Sequence, residues 1–226
     1  MTESAAVQSS EARQMPSYAP SEAAHYLSIP VSTVRYWCLG GSGNRPLLVP
    51  AEKRPLALSF VNLVELHVLG AIRRKHLISM PKVRRTLDYV SRTLKVVQPL
   101  ARKRFETDGV DLFVEHYGRL INASQQGQTE MRELVGAALV RVEWDRQGLP
   151  VKLAPFTRSD VEKSAEIIVI DPAVLSGRAV IRGTRIAVDV VAERYKAGES
   201  ISDLARDYGR TAEEIEEAIR CELRVA

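Results

Sequence analysis

Apolar residues recur at helical spacing along most of this chain and alternate only in short stretches. Pro20 suits the first position of a helix, and SEAAHYL then sets Ala23, Ala24 and Leu27 on one face. Ser28-Ile29-Pro30 interrupts the pattern, and Val31-Ser32-Thr33-Val34-Arg35-Tyr36-Trp37 predicts a second short helix carrying hydroxyls and an arginine. Turn residues in GGSGNRPLLVPAEKRPLALSF surround two short apolar pieces, which predicts a β-wing with Lys53 and Arg54 near its tip. FVNLVELHVLGAIRRKHL resumes helical spacing through Leu63, Leu66, Leu69 and Ile72. Ser79-Met80-Pro81 opens a further helix with Val83, Leu87, Val90 and Leu94 on one side and arginines on the other.

The pattern changes after Pro99. FETDGVDLFVEHYGRLINA reads as alternating strands with Asp108-Gly109 and Tyr117-Gly118 as turns. TEMRELVGAALV predicts a helix, and VRVEWDRQGLPVKLAPF a hairpin around Asp145-Arg146-Gln147-Gly148. Residues 166–170 predict a strand ended by Asp171-Pro172. SGRAVIRGTRIAV predicts a turn and a hairpin, and DVVAERYKAG a helix stopped by Gly198. Ser200 with Asp203, and Thr211 with Glu214, have the spacing of two capping boxes. ISDLARDYG and AEEIEEAIRCEL then complete three small helices, the last two as a helix-turn-helix.

The predicted fold class is α+β and predominantly helical. Its parts are a polar tail over residues 1–16, expected to be disordered, and a winged helix-turn-helix over 17–98. A β-hairpin/helix module over 99–158 follows, as spacer or self-association element, and then a C-terminal β-hairpin plus three-helix domain over 159–226.

Charge divides the chain. Eleven basic residues between positions 73 and 104, including Arg73, Arg74, Lys75, Arg84, Arg85 and the 102–104 cluster, face Asp88 alone, a balance of +10. From residue 160 onward ten basic stand against fourteen acidic residues, a balance of −4. The first region suits a polyanion and the second does not. Hydroxyls and an arginine on the second helix of a helix-turn-helix can reach phosphates or base edges. Ser32, Thr33, Arg35, Tyr36, Lys53, Arg54, Arg73, Arg74, Lys75, Arg84 and Arg85 are therefore the candidate DNA contacts. Tyr36 and Trp37 could form an aromatic ligand box, against which stands ordinary packing of the helix.

No metal or cofactor is expected. His25, His67, His76 and His116 are scattered, and Cys38 and Cys221 have no ligand spacing. Asp108, Asp111, Glu115, Glu143 and Asp145 have the look of a solvated face rather than of a metal-dependent nuclease. With no apolar run of membrane-span length and no signal-peptide stretch at the start, a cytoplasmic protein without a membrane partner is expected.

Two resemblances extend this reading. "YAPSEAAHYLSIPVSTVRYW…RPLALSFVNLVELHVLGAIRRKHLISMPKVRRTL" resembles the winged helix-turn-helix of the MerR class of transcription regulators, with departures at Pro30 and at Pro99, where that class continues into a long coiled coil. "IDPAVLSGRAVIRGTRIAVDVVAERYKAGESISDLARDYGRTAEEIEEAI" resembles a bacterial and archaeal family of unknown function whose members are similar to antitoxins of the VapB type, encoded beside PIN-like ribonuclease toxins. The whole chain is similar to the long, DNA-binding form of such antitoxins. The resemblance implies a non-enzymatic protein, expected to be a homodimer, that holds operator double-stranded DNA and a PIN-like toxin. It also implies a role for Arg178, Arg182, Thr184 and Arg185, with Arg220 and Arg224, at the toxin's carboxylates. Against this, Thr184-Arg185 would instead tie the hairpin to Asp171 or Asp189. The competing functions are a MerR-like regulator that senses a small molecule, and a nuclease.

Overall fold

The computed structural model describes residues 11–41, 43–73, 79–157 and 166–223. Helix α1 (Pro20–Leu27) starts on proline and ends at Ser28, whose left-handed backbone (φ 52°) returns its N–H to the carbonyls of Ala24 and His25. Helix α2 (Val31–Leu39) follows directly, and buries Val34, Trp37 and Cys38 between α1 and the helix to come. Strands β1 (Glu52–Lys53) and β2 (Leu56–Ala57) pair antiparallel around Arg54 and Pro55, as the turn pattern predicts.

Helix α3 (Phe60–Arg73) is apolar on nearly every side and nearly wholly buried, as a central helix must be. Helix α4 (Met80–Leu94) packs on α5 (Val110–Ile121), and α6 (Gln125–Leu139) packs on both α3 and α5. The strands expected in 105–123 are not there. A π turn over Phe105–Gly109 runs straight into α5, which buries Val110, Phe113, Val114 and Tyr117. Those positions are three and four apart, the spacing of a helix face, and the glycines taken for turns lie inside helix. Gly109 is needed there because a Cβ would lie 2.6 Å from the Phe105 ring. The segment is a helical hairpin, and its helices pack on each other and on α3 and α4.

A four-stranded antiparallel sheet follows, in the order β3-β4-β5-β6: Val142–Trp144, Pro150–Leu153, Ile168–Ile170 and Ala179–Ile181. β6 finds its partner in β5 rather than in the residues after it. Of the expected 180–188 hairpin there is one bridge, Val180 to Ala187, beyond a tight turn. The sheet also crosses the boundary expected at 158/159, since Leu153 of β4 pairs with Ile170 of β5. Helices α7 (Val188–Lys196), α8 (Ile201–Tyr208) and α9 (Ala212–Leu223) complete the chain, α9 packing on both others. The Thr211–Glu214 capping box forms in full and the Ser200–Asp203 one by its first half. Ser200 Oγ accepts from the Asp203 N–H, and Thr211 and Glu214 exchange bonds.

The two ends of the chain are joined. Tyr18 Oη donates to the Gly177 carbonyl at 3.1 Å, and a Cβ on Gly177 would overlap that hydroxyl. His25 of α1 meets Glu222 of α9 at 3.3 Å. The disordered tail expected to residue 16 is corrected over 11–16, where Arg13 is buried and pairs with Asp145 at 2.5 Å. Residues 1–10 lie outside the described residues. Among the described residues no helix is long and apolar enough to cross a membrane.

Candidate functional site

Two cationic surfaces emerge, one on α2 and its hairpin and one on the turn after β6. On α2 the inner face fixes the helix and the outer face is left to act. Ser32 and Arg35 are exposed and Tyr36 is half-buried, on the side opposite Val34 and Trp37. Arg35 makes no hydrogen bond or ion pair among the described residues. Lys53 and Arg54 are exposed at the end of the β1–β2 hairpin, as is Arg85 on α4.

Three other candidate contacts are buried or bonded within the chain. Thr33 is buried, and its Oγ1 accepts from Arg73 Nη1 at 2.7 Å, so this hydroxyl faces α3 and not a groove. Arg73 thereby bonds back to α2, with its guanidinium 6.0 Å from the centroid of Trp37. Arg84 is buried, with Nε and Nη2 lacking any partner among the described residues. The periodicity puts arginines on the outer side of α4; one turn of that side is covered. Arg74 and Lys75, like His76, fall outside the described residues. The 102–104 cluster is also partly committed: Arg104 Nη1 donates to the Leu94 carbonyl at the end of α4, and Lys103 pairs with Glu106 at 2.8 Å.

Polar residues in the core hold the hairpin to α3. Asn62 Oδ1 accepts from the backbone N–H groups of Ala51 (2.9 Å) and Ser59 (3.1 Å). Its amide donates to the Val49 carbonyl (2.8 Å) and to Glu65 (3.1 Å). Gln98 also donates to Glu65, at 3.2 Å. Burial pushes the Glu65 carboxyl up to about 7 in spite of those donors and of Arg102 nearby. An Asn and a Glu on an otherwise apolar helix are the sequence signal for this network, and apolar spacing alone does not reveal it.

The second surface begins at Gly183, whose φ is +75°, with nothing within 4 Å of the point a Cβ would occupy. The glycine therefore serves the turn's conformation and not a close approach. Thr184 closes the turn, donating from Oγ1 to the Ile181 carbonyl at 2.8 Å and accepting from the Ile186 N–H at 3.0 Å. Arg182 is tied to the sheet, donating to Glu143 at 2.6 Å and to the Glu166 carbonyl at 2.7 Å. Burial alone would raise the Glu143 carboxyl, but Arg182 and Lys152 outweigh it and hold it below the usual carboxylate range. Arg178 is ion-paired with Asp189, and Arg220 with Glu217 on its own helix. Arg224 lies outside the described residues.

Arg185 is left. It is exposed and has no partner among the described residues; Asp189 is taken by Arg178, and Asp171 accepts from the Ala173 N–H. It stands on the rim of a cleft of about 420 Å³ shared with Arg182, Thr184, Lys152 and Asp171. The structure thus brings Arg182, Thr184 and Arg185 together and leaves Arg178 and Arg220 off the cleft wall. Lys152, a cation from β4 with no motif around it, could be found only from the folded sheet.

The carboxylates weighed for a nuclease are dispersed: Asp111 pairs with Arg132, Glu115 with Arg119 and Asp145 with Arg13. Among the described residues no cluster of His, Cys, Asp and Glu could hold a metal.

Over residues 168–220 the chain matches a family model described as "Protein of unknown function (DUF433)". It is 28% identical to "Putative antitoxin VapB45" of Mycobacterium tuberculosis, over 91% of this chain and 93% of that protein. With "Uncharacterized protein Rv2308" of the same organism it shares 24% identity, over 89% and 88%. "Uncharacterized protein y4eO" of Sinorhizobium fredii is 36% identical over 31% of this chain and 35% of that protein. The crystal structure of Rv2018 from Mycobacterium tuberculosis superposes with a TM-score of 0.70, at 23% identity, over 91% of this chain and 98% of that one. That likeness establishes the fold as one found in another protein.

Proposed function

We propose that this chain is the antitoxin of a type II toxin–antitoxin pair, a non-enzymatic homodimer that represses its own operon and blocks a PIN-like ribonuclease toxin. In this reading α1, α2 and the β1–β2 hairpin act as a MerR-like winged helix-turn-helix on operator double-stranded DNA. Ser32, Arg35 and Tyr36 reach the groove, and Lys53, Arg54 and Arg85 meet phosphates. Support for the toxin half comes from the 28% identity, over nine-tenths of the chain, with a protein named as an antitoxin.

One observation carries the reading: an exposed arginine without a partner among the described residues, held on a rigid turn, in a C-terminal region that is otherwise acidic. A PIN-like active site gathers carboxylates around a divalent metal. A guanidinium placed there pairs with them bidentately and displaces metal and RNA together. Arg182, fixed by Glu143 and Glu166, acts as the post on which Arg185 is presented.

The test is made on the full chain, because the sheet beneath the turn needs β4 as well as β5 and β6. The chain is mixed with the nuclease encoded beside it, RNA cleavage is followed, and binding to the operon's own promoter is compared with binding to random DNA. Inhibition near one-to-one and promoter preference are expected. Uninhibited cleavage sinks the toxin half of the proposal, and equal affinity for random DNA sinks the repressor half.

A further inference from the structure

Beneath α2 lies a cavity of about 180 Å³ that neither cationic surface uses. Its wall includes Ser28 from the α1–α2 turn, Trp37 from α2, His67, Gly70 and Arg73 from α3, and Phe156 from the segment after β4. Three properties set it apart from a packing defect. The first is size, since an apolar cavity of roughly 150 Å³ already admits a benzene ring. The second is its chemistry. Trp37 and Phe156 are the aromatic rings of its lining, Phe156 itself stacked on His67 at 4.9 Å, and Arg73 brings a cation that has no carboxylate partner among the described residues. Thr33 takes one donor from Arg73, and a guanidinium has four more N–H groups.

The third property is Ser28. Its Oγ is shielded from solvent and has no hydrogen-bond partner among the described residues. Its backbone is left-handed, with φ 52° and ψ 48°, where glycine or asparagine is the usual choice. The chain thus keeps a hydroxyl at a position that favours a residue without one, and no group among the described residues uses it.

We propose that this cavity binds a small monocyclic aromatic acid. The ring would lie among Trp37, Phe156 and the aliphatic wall, and the carboxylate would meet the exposed Arg73; the Ser28 hydroxyl, shielded in the unliganded chain, would reach it by turning about χ1. A neutral ring would leave Arg73 and Ser28 unanswered, and a cationic one would be repelled. Since Trp37 is the inner side of the helix whose outer side carries Ser32 and Arg35, such a ligand bears on how α2 is presented. This proposal does not depend on a toxin.

The experiment titrates benzoate, with toluene as the neutral control, into the full chain, reading tryptophan fluorescence and backbone amide shifts. Benzoate is expected to bind saturably with a Kd of roughly 1 mM or tighter. Shifts should centre on residues 27–30, 37 and 70–73, and toluene should bind at least tenfold more weakly. Arg73→Met and Ser28→Gly, the latter suited to the left-handed backbone, should each weaken benzoate by several-fold to tenfold without weakening toluene. Ala71→Leu, which fills the cavity, should abolish benzoate binding. No saturable binding at roughly ten times that Kd, shifts centred elsewhere, or toluene binding as tightly as benzoate would each overturn the proposal. The amide shifts are read on the unaltered protein, so the result stands even where a variant fails to fold.

Discussion

The α2 surface and the turn after β6 each present an arginine without a partner among the described residues, and they are held by opposite means. Behind Arg35 stands a buried frame: Thr33 bonded to Arg73, Trp37 in the core, and the Asn62–Glu65 network under the hairpin. Behind Arg185 stands an exposed frame of ion pairs, Arg178 with Asp189 and Arg182 with Glu143 and Glu166. A buried polar network costs free energy whenever one member loses its partner or changes charge, whereas exposed pairs are individually weak and screened by salt. The difference teaches that the number of cations in a segment says little about how many are available. The frames claim Arg178 and Arg182 and take one donor of Arg73, and they leave Arg35 and Arg185 free to act.

The largest expected effect falls on Arg185. Reversing its charge, Arg185→Glu, should weaken inhibition of the partner nuclease by the equivalent of about 2–5 kcal/mol, a shift visible in a titration of RNA cleavage. The melting temperature should stay where it is, because the side chain holds nothing among the described residues. Full inhibition by this variant would remove Arg185 from the interface and place the blocking group elsewhere.

The buried frame should show itself in pH. The Glu65 carboxyl titrates at about 7 when folded, well above the ordinary glutamate range near 4.3. The folded state therefore holds the proton more tightly than the unfolded state. The stability this contributes is fully present below the unfolded pKa, and is lost as pH rises through the folded one. Between about pH 4.5 and 7.5 the loss should approach roughly 3 kcal/mol. Glu65→Gln keeps an oxygen for Asn62 and Gln98 and should flatten that part of the profile. Denaturant unfolding of both proteins at several pH values measures it, and parallel profiles would mean that Glu65 is not what titrates.

How much of the fold is legible in the sequence varies with the kind of signal. Helices punctuated by capping boxes, prolines and glycines are visible, because those residues act on the backbone next to them; α1, α2, α7, α8 and α9 all stand where the pattern puts them. Helix α5 is easily mistaken for strands because Asp108-Gly109 and Tyr117-Gly118 look like turns, while the spacing of Val110, Phe113, Val114 and Tyr117 carries the helix. The sheet that joins β4 to β5 is not legible, since a single cross-strand pair separated by a chain segment leaves no local trace. The candidate site suffers similarly. Exposure of Ser32 and Arg35 follows from helical phase, but the burial of Thr33 and Arg84 depends on what covers them.

Helical phase also separates Arg35 from Thr33 in a third test. Arg35→Ala should cost about 1–3 kcal/mol on operator DNA and less on random DNA, as a base contact does. Thr33→Val should leave that preference in place and instead lower stability by about 1 kcal/mol, through the bond lost from Arg73. Competition binding at fixed salt reads the first and denaturant unfolding the second. If the two variants exchange these signatures, α2 is turned the other way.

The smallest effect is expected from Arg182, and it bears most directly on the contrast between the frames. Its side chain is 38% exposed, so its pairs with Glu143 and Glu166 are partly screened, and Glu143 keeps Lys152 at 3.1 Å when the arginine is gone. Arg182→Ala should therefore lower stability by no more than about 1 kcal/mol at low salt, and by less in roughly 1 M salt, where the screening length falls to a few ångströms. The loss from Thr33→Val, set by a buried hydroxyl, should not change with salt. Running the two variants side by side in a salt series gives two slopes. A flat response for Arg182→Ala would mean that its bond to the Glu166 carbonyl, rather than either ion pair, is what holds the turn against the sheet.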